Sequence, residues 1–333
     1  MIIKFFQPSL AYKKHRQQYL DEFDRILSAG DLILRQDVEE FEKNFASFVG
    51  KKYCVGLNSG TDALYLSLWA LGIGKDDEVI VPSHTFVASV QVINQLGATP
   101  VLVDMDETWD TFVTEKTKAL LPTHIAGATL GWKPTGIPII EDACQALGAV
   151  GVGKGLIQCW SFYPAKILGA YGDAGAITTD DESLANEIRE LRNHYKKDYS
   201  KWGINSRMDN LQAAILNIKL KYLPKAINRR AEVAERYYNG LKNLEKDGKI
   251  KLPNRQIGRV YQDFIVRTEQ RDTLFEYLKE HGIETMKNEY PMPIKKLPRA
   301  KQYEAETLRI PCNESLTDRE VCYVIEKLHE FFR

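Results

Sequence analysis

The chain has 333 residues, 44% of them apolar and 27% charged, and its 45 basic residues balance 45 acidic ones. That is the composition of a folded globular protein with two domains, or one large domain and a smaller satellite, and it argues against a disordered chain or a fibrous repeat. Formal neutrality gives no overall pull toward nucleic acid or an anionic membrane, and no apolar run approaches the roughly 18 residues of a spanning helix, so neither partner is expected.

The opening stretch from Met1 to Pro8 lacks the long apolar core of a signal peptide, and a cytoplasmic location is expected. Tyr19, Leu20, Phe23, Ile26 and Leu27 follow helical spacing up to Gly30, and Val38, Phe41, Phe45 and Phe48 mark a second helix ending at Gly50. Short apolar runs then alternate with helical segments. They fall at 53–57, 79–81, 100–103, 119–121, 137–140, 159–162 and 176–178. Runs apolar on both faces and separated by crossovers predict an α/β fold with a mostly parallel sheet covered on both sides. Helices dominate from Asp181 to about Leu244, with Leu211, Ile215, Ile218 and Tyr222 on one stripe. These pieces make a large α/β domain over 1–244, N-terminal and trailing helices included. A smaller α+β domain over 245–333 follows, with a strand at 261–266 and helices at 271–280 and 317–332.

The five cysteines show no C-x-x-C pair and are read as reduced; the six histidines show no H-x-x-x-H spacing, so no metal site is expected. In open α/β sheets ligands collect beyond the carboxyl ends of the strands. Those ends carry Asn58-Ser59-Gly60-Thr61-Asp62, Ser83-His84-Thr85-Phe86, Thr123-His124, Glu141-Asp142-Ala143-Cys144-Gln145 and Ser161 to Lys166. Ser59-Gly60-Thr61 opens a helix, where free N–H groups favour an anion; it reads equally as a plain N-cap. Asp142 is either a cap or a ligand-facing carboxylate. Lys166 precedes a glycine-rich stretch compatible with close approach of a bulky ligand. Gly148 to Lys154 fits the phosphate-loop pattern G-x-x-x-x-G-K, but Gly155 replaces the magnesium-binding Ser or Thr, and a strand-like segment follows where a helix is needed.

Together, Ser59 to Gly74 (SGTDALYLSLWALGIG), Asp77 to Ser89 (DEVIVPSHTFVAS), Gly97 to Asp104 (GATPVLVD), Ile140 to Gly148 (IEDACQALG), Ser161 to Lys166 (SFYPAK), Gly172 to Thr179 (GDAGAITT) and Gly203 to Ala214 (GINSRMDNLQAA) resemble, in order and spacing, the DegT/DnrJ/EryC1/StrS family of pyridoxal-phosphate-dependent nucleotide-sugar aminotransferases. Asn288 to Pro293 and Arg309 to Asp318 are similar as well. The resemblance implies a fold-type-I aminotransferase, a homodimer with shared active sites, and pyridoxal 5'-phosphate as cofactor. By the same resemblance Lys166 would bond to the cofactor aldehyde and later carry the transferred proton. Asp142 would pair with the ring nitrogen, Phe86 would stack on the ring, and Gln145 would lie near the ring hydroxyl. Gly60, Thr61 and the Asp62 N–H would hold the phosphate with the Ser161 hydroxyl, while Asn205 would reach the phosphate of the neighbouring subunit.

Lys166, in place of histidine, argues against the dehydratase branch of that family. Two departures stand out: only Ala128 to Pro138 separates Gly127 from Ile139, too short and glycine-rich for a crossover helix, and the loop before Gly203 is short. The implied reaction moves an amino group, from glutamate as amino-acid donor, to a keto group of a nucleotide-linked 6-deoxy sugar. The alternatives are a non-nucleotide keto-sugar or carbocycle as acceptor, or a non-catalytic cofactor-binding regulatory protein.

Overall fold

In the computed structural model, which describes residues 1–105, 107–131 and 136–333, the apolar runs become strands β1 (Tyr53–Leu57), β2 (Glu78–Pro82), β3 (Thr99–Val103), β4 (Thr117–Leu120), β5 (Ile140–Asp142), β6 (Ile157–Ser161) and β7 (Gly175–Thr179). The order β1-β7-β6-β5 continues across parallel bridges between Leu120 and Ile139 and between Thr123 and Asp142 into β4-β2-β3. Only β7 runs antiparallel to both of its neighbours in this sheet. The strands have the near-continuous burial of a sheet covered on both faces.

Helices α1 (Pro8–Ala29), α2 (Gln36–Val49), α3 (Gly60–Ala70), α4 (Val87–Gln95), α5 (Glu182–Leu191) and α6 (Asn210–Lys246) supply the cover. On one face Leu64, Leu68, Val92, Ile93 and Ile188 close over Val55, Val79 and Ile177. On the other, Val38, Phe41 and Phe45 pack with Trp160, Phe162 and Leu216; the Phe45 and Phe162 rings meet edge to face at 5.0 Å.

The first helix begins eleven residues before the periodic stretch, because Pro8 sits at its first position, where a missing N–H costs nothing. Helix α4 had no signal of its own. It is only nine residues long, and although Ala88, Val92 and Ile93 are buried opposite the exposed Gln91, Asn94 and Gln95, the polar Ser89 on the buried face interrupts the apolar stripe. Strand β5 extends two residues past the run at 137–140, so Asp142 lies inside the ladder and not after it.

Beyond α6 the chain forms β8 (Phe264–Arg267), α7 (Arg271–Glu280), β9 (Met286–Lys287), α8 (Pro298–Glu306), β10 (Thr307–Ile310) and α9 (Asp318–Phe331), with an antiparallel sheet ordered β8-β10-β9. The core of this part recruits Val233, Tyr237, Tyr238 and Leu241 from the second half of α6, and Ile3 from the chain start. The connection between Gly127 and Ile139 falls partly on residues 132–135, outside the described residues; Ala128 to Gly131 carry no helix. Among the described residues no helix is long and apolar enough to cross a membrane.

Candidate active site

A cavity of about 730 Å³ lies at the carboxyl ends of the central strands, bounded by the start of α3 and by β9 and β10. Gly60, Thr61, Phe86, Asp142, Gln145, Ser161 and Lys166 all line it.

Asp142 is 5% exposed. Its Oδ2 accepts from the Ser89 hydroxyl at 2.8 Å and its Oδ1 from the Cys144 N–H at 3.2 Å. Because Ser89 spends its proton on the carboxylate, its oxygen accepts from Thr85 (2.9 Å), and Thr85 in turn accepts from Thr123 (3.0 Å). All three hydroxyls therefore point their dipoles at Asp142. The carboxylate retains lone pairs for a further donor in the cavity.

The Ser59 hydroxyl caps α3 by accepting from the Asp62 N–H at 3.0 Å, so the plain-cap reading of this motif holds for Asp62. Its carboxylate meets the Ser206 hydroxyl at 2.6 Å, and Asp62 does not line the cavity. The first-turn donors of Gly60 and Thr61 remain for an anion. A Cβ on Gly60 would stand 2.7 Å from Ser161 Cβ and 3.0 Å from Cys144 Sγ. Gly175 is just as confined, its Cβ position 2.3 Å from the Ser59 carbonyl. These two glycines let the helix start press onto β6 and β7, which brings Ser161 beside it.

Lys166 follows β6 in a tight loop. Its N–H donates to the Tyr163 carbonyl at 2.8 Å, and a Cβ on Gly169 would strike the Pro164 carbonyl at 2.3 Å. The Gln262 amide clamps both flanks of the lysine, donating to the Ala165 carbonyl (2.9 Å) and accepting from the Ile167 N–H (3.1 Å). Burial and the Asp142 carboxylate push the Cys144 thiol well up while the Lys166 ammonium draws it down, so that sulfur feels both groups.

Phe86 is half exposed, its ring 6.2 Å from that of Tyr290 and nearly perpendicular to it. Gln145 accepts from the Ala126 N–H at 2.9 Å and donates to the Tyr290 hydroxyl at 3.3 Å. No local pattern singles out Tyr290 or Arg309, although both lie in segments that carry the family resemblance. Asn205 does not reach this cavity within its own chain; it is exposed, and its Oδ1 accepts from Arg207 Nε at 2.9 Å.

His84 and His124 stand apart from the chemistry. His84 is buried against Glu304 (3.1 Å) and Asn288, and burial holds its pKa low. His124 is fully buried, accepts from the Leu130 N–H at 3.0 Å, and is pushed down to about 4 by burial.

The phosphate-loop look-alike has an internal occupant. The N–H groups of Gly153, Lys154 and Gly155 converge on the buried Glu141 carboxylate at 2.7, 3.1 and 3.1 Å. A Cβ on Gly155 would lie 2.8 Å from the Ile139 carbonyl, which accounts for glycine at that position.

A second cavity, about 740 Å³, adjoins the first and shares Lys166, Phe6, Arg230 and Asn313 with it. Lys14, Lys219, Lys225 and Arg229 line it, as do Tyr222 and His15, whose rings stack at 4.1 Å. Lys219 donates to the Gly169 carbonyl and lies 3.9 Å from the Tyr171 ring centroid; burial lowers its pKa to about 8.

The residues present fit pyridoxal phosphate. The cavity offers a lysine for its aldehyde, a buried carboxylate for its ring nitrogen, and a glycine-floored helix start with a serine hydroxyl for its phosphate. Fold and site thus define a fold-type-I, pyridoxal-phosphate-dependent aminotransferase. The DegT/DnrJ/EryC1/StrS aminotransferase family model matches residues 13–329, and the chain belongs to that family. A dTDP-3-amino-3,4,6-trideoxy-alpha-D-glucose transaminase of Streptomyces venezuelae is 36% identical, covering 99% of this chain and 96% of the relative. A UDP-2-acetamido-2-deoxy-3-oxo-D-glucuronate aminotransferase of Pseudomonas aeruginosa is 37% identical over 86% of each chain. The crystal structure of S. venezuelae DesV in complex with a ketimine intermediate superposes with a TM-score of 0.91 at 36% identity, over 99% of this chain and 98% of that one.

Proposed function

We propose that this enzyme moves an amino group from glutamate to the keto carbon of a nucleotide-linked keto-sugar, using Lys166 and Asp142 as its catalytic groups. The carrying observation is their convergence on one cavity that shares Phe6, Lys166, Arg230 and Asn313 with a second, cation-lined one. A keto-sugar in the first cavity would extend its diphosphate toward Lys219 and Arg229 and its base toward the stacked Tyr222 and His15. The S. venezuelae and P. aeruginosa relatives, named for dTDP- and UDP-sugars, support the same reading.

Bound pyridoxal phosphate supplies the carbonyl that receives the amino group and a ring that takes up electrons. Asp142 would hold a proton on the ring nitrogen, its carboxylate oriented by the Ser89 and Cys144 donors. Lys166 holds the cofactor at rest and, once released, carries a proton from the donor carbon to the carbon beside the ring. Gly60 and Thr61 N–H groups with the Ser161 hydroxyl bind the phosphate, and Phe86 covers a ring face. Gln145 lies toward the ring hydroxyl. Asp62 acts one step back, as the capped residue that fixes the helix start.

The enzyme is a homodimer in this reading, with Asn205 of one subunit at the phosphate of the other. Its exposure, together with the exposed Tyr199 (73%) and Trp202 (88%) on the same loop, supports an interface there.

The test is a two-stage assay. Glutamate should discharge the loaded protein's visible band, and a dTDP- or UDP-linked keto-sugar should restore it. Borohydride should fix the cofactor on the Lys166 peptide, and Lys166→Ala should remove both signals. Restoration by unlinked keto-sugar phosphates alone would favour the non-nucleotide alternative; no discharge by any amino donor would favour a regulatory protein.

A further inference from the structure

Tyr290 is 5% exposed yet lines the active cavity. Its phenol oxygen accepts two hydrogen bonds, one from Arg309 Nη2 and one from Gln145 Nε2 at 3.3 Å. Neither donor can turn away. The Gln145 carbonyl oxygen is taken by the Ala126 N–H, which sets the amide nitrogen toward Tyr290. The Arg309 guanidinium is held by Asn288 at 2.8 Å and by the buried Asp263 at 3.1 Å.

A phenol has one proton to donate and a limited capacity to accept. With its oxygen occupied by two donors, the Tyr290 proton needs a third partner, and no hydrogen bond from Tyr290 to a described residue exists. A buried donor left unmatched is costly, so its direction is toward whatever acceptor enters the cavity. Burial raises the Tyr290 pKa even though Arg309 and Gln145 pull it down, so the phenol keeps its proton at neutral pH. Gln145 and Phe86, the residues expected at the ring hydroxyl and the ring face, both line the cavity beside it.

We infer that the Tyr290 hydroxyl donates a hydrogen bond to the ring oxygen of the bound cofactor, with Arg309 and Gln145 as the positioning residues that aim it. This rests on the cavity being the cofactor site. The bond stabilises the oxygen in its anionic form, and the proton that oxygen shares with the lysine-bound nitrogen is thereby held more loosely.

The measurement is a pH titration of the visible band in cofactor-loaded protein, wild type against Tyr290→Phe, with cofactor affinity followed in parallel. Loss of the donor should raise the apparent pKa of the band by about one unit, a tenfold change in proton affinity, while cofactor affinity falls much less. Superimposable titrations would overturn the assignment. Should Tyr290→Phe fail to fold or to load, Arg309→Lys serves instead. It keeps a cation beside Asp263 but cannot reach Tyr290 as before, and an upward shift supports the assignment while no shift overturns it. A wild-type protein with no band and no borohydride-trapped cofactor at Lys166 would overturn the cofactor-site reading itself, and the Tyr290 assignment with it.

Discussion

Gly60→Ala puts one methyl group where the structure has no room for it. The new Cβ would lie 2.7 Å from Ser161 Cβ, 3.0 Å from Cys144 Sγ and 3.2 Å from Ser161 Cα. Ser161 is the last residue of β6, paired with Gly175 of β7, so the strand cannot yield and the first turn of α3 must lift away. Overpacking of this kind costs about 1–3 kcal/mol, whereas alanine for glycine in a helix returns only about 0.5–1. The net effect is a modest loss of stability, visible as a lower melting temperature of the cofactor-free protein. Cofactor affinity should fall further. The Gly60 and Thr61 N–H groups move with the turn, and a hydrogen bond to a charged group is worth about 1.5–3 kcal/mol, so the dissociation constant should rise about ten- to hundredfold. Absorbance titration with pyridoxal phosphate measures it. A Gly60→Ala protein with wild-type melting and wild-type affinity would refute both the packing argument and the phosphate cradle.

Three further outcomes follow from the proposed shared site and the second cavity. A mixed dimer of Asn205→Asp and Lys166→Ala subunits should regain up to about half the activity of wild type, because both lesions collect in one of its two sites; no recovery in verified heterodimers refutes Asn205 acting across the interface. Lys219, lowered to about 8 by burial, attracts phosphate only while protonated, so affinity for a nucleoside diphosphate should weaken severalfold as pH rises from about 7 to 9 and stay flat in Lys219→Met. Its folded pKa lies below the unfolded one. The cost of burying the ammonium is therefore fully present below about pH 8 and disappears as pH rises toward about 10, which urea unfolding at two pH values would read as a stability gain that Lys219→Met lacks.

The sheet was legible because its strands are short apolar runs bounded by turn residues, and the rim residues were legible because they follow those runs directly. Local signals could not show what closes the site from the far end of the chain. Gln262 clamps the Lys166 loop across 95 residues, Arg309 enters from β10 and Tyr290 from the segment after β9, all more than 90 residues on from Lys166. Nor could they show that Asp62 spends its N–H on Ser59, since a helix cap and an anion cradle share one sequence. Asn205 is marked only through the family resemblance, and within its own chain it does not line the cavity.

Glu141 and Asp142 set the sharpest limit on reading function from residue type, because they are adjacent carboxylates on β5 with opposite fates. Side chains alternate across a strand, so one faces the glycine turn and the other the cavity. Glu141 is fully buried, and burial raises its pKa even though three backbone N–H groups donate to it and pull the other way. Its acceptor capacity is nearly filled by its own chain. Asp142 receives one hydroxyl and one N–H, and it lines the cavity with acceptor capacity to spare. The two amide substitutions should therefore separate. Glu141→Gln turns an NH₂ group toward backbone donors and should cost about 1–3 kcal/mol of stability while leaving the glutamate half-reaction of loaded protein near wild type. Asp142→Asn should melt close to wild type and retain cofactor, yet slow that half-reaction by about a hundredfold or more, because an amide cannot hold a proton on the ring nitrogen. Stopped-flow absorbance and thermal melts on the two variants decide it: equal losses in both properties for both variants would mean that the pair acts as one structural unit, and Asp142 would lose its catalytic role.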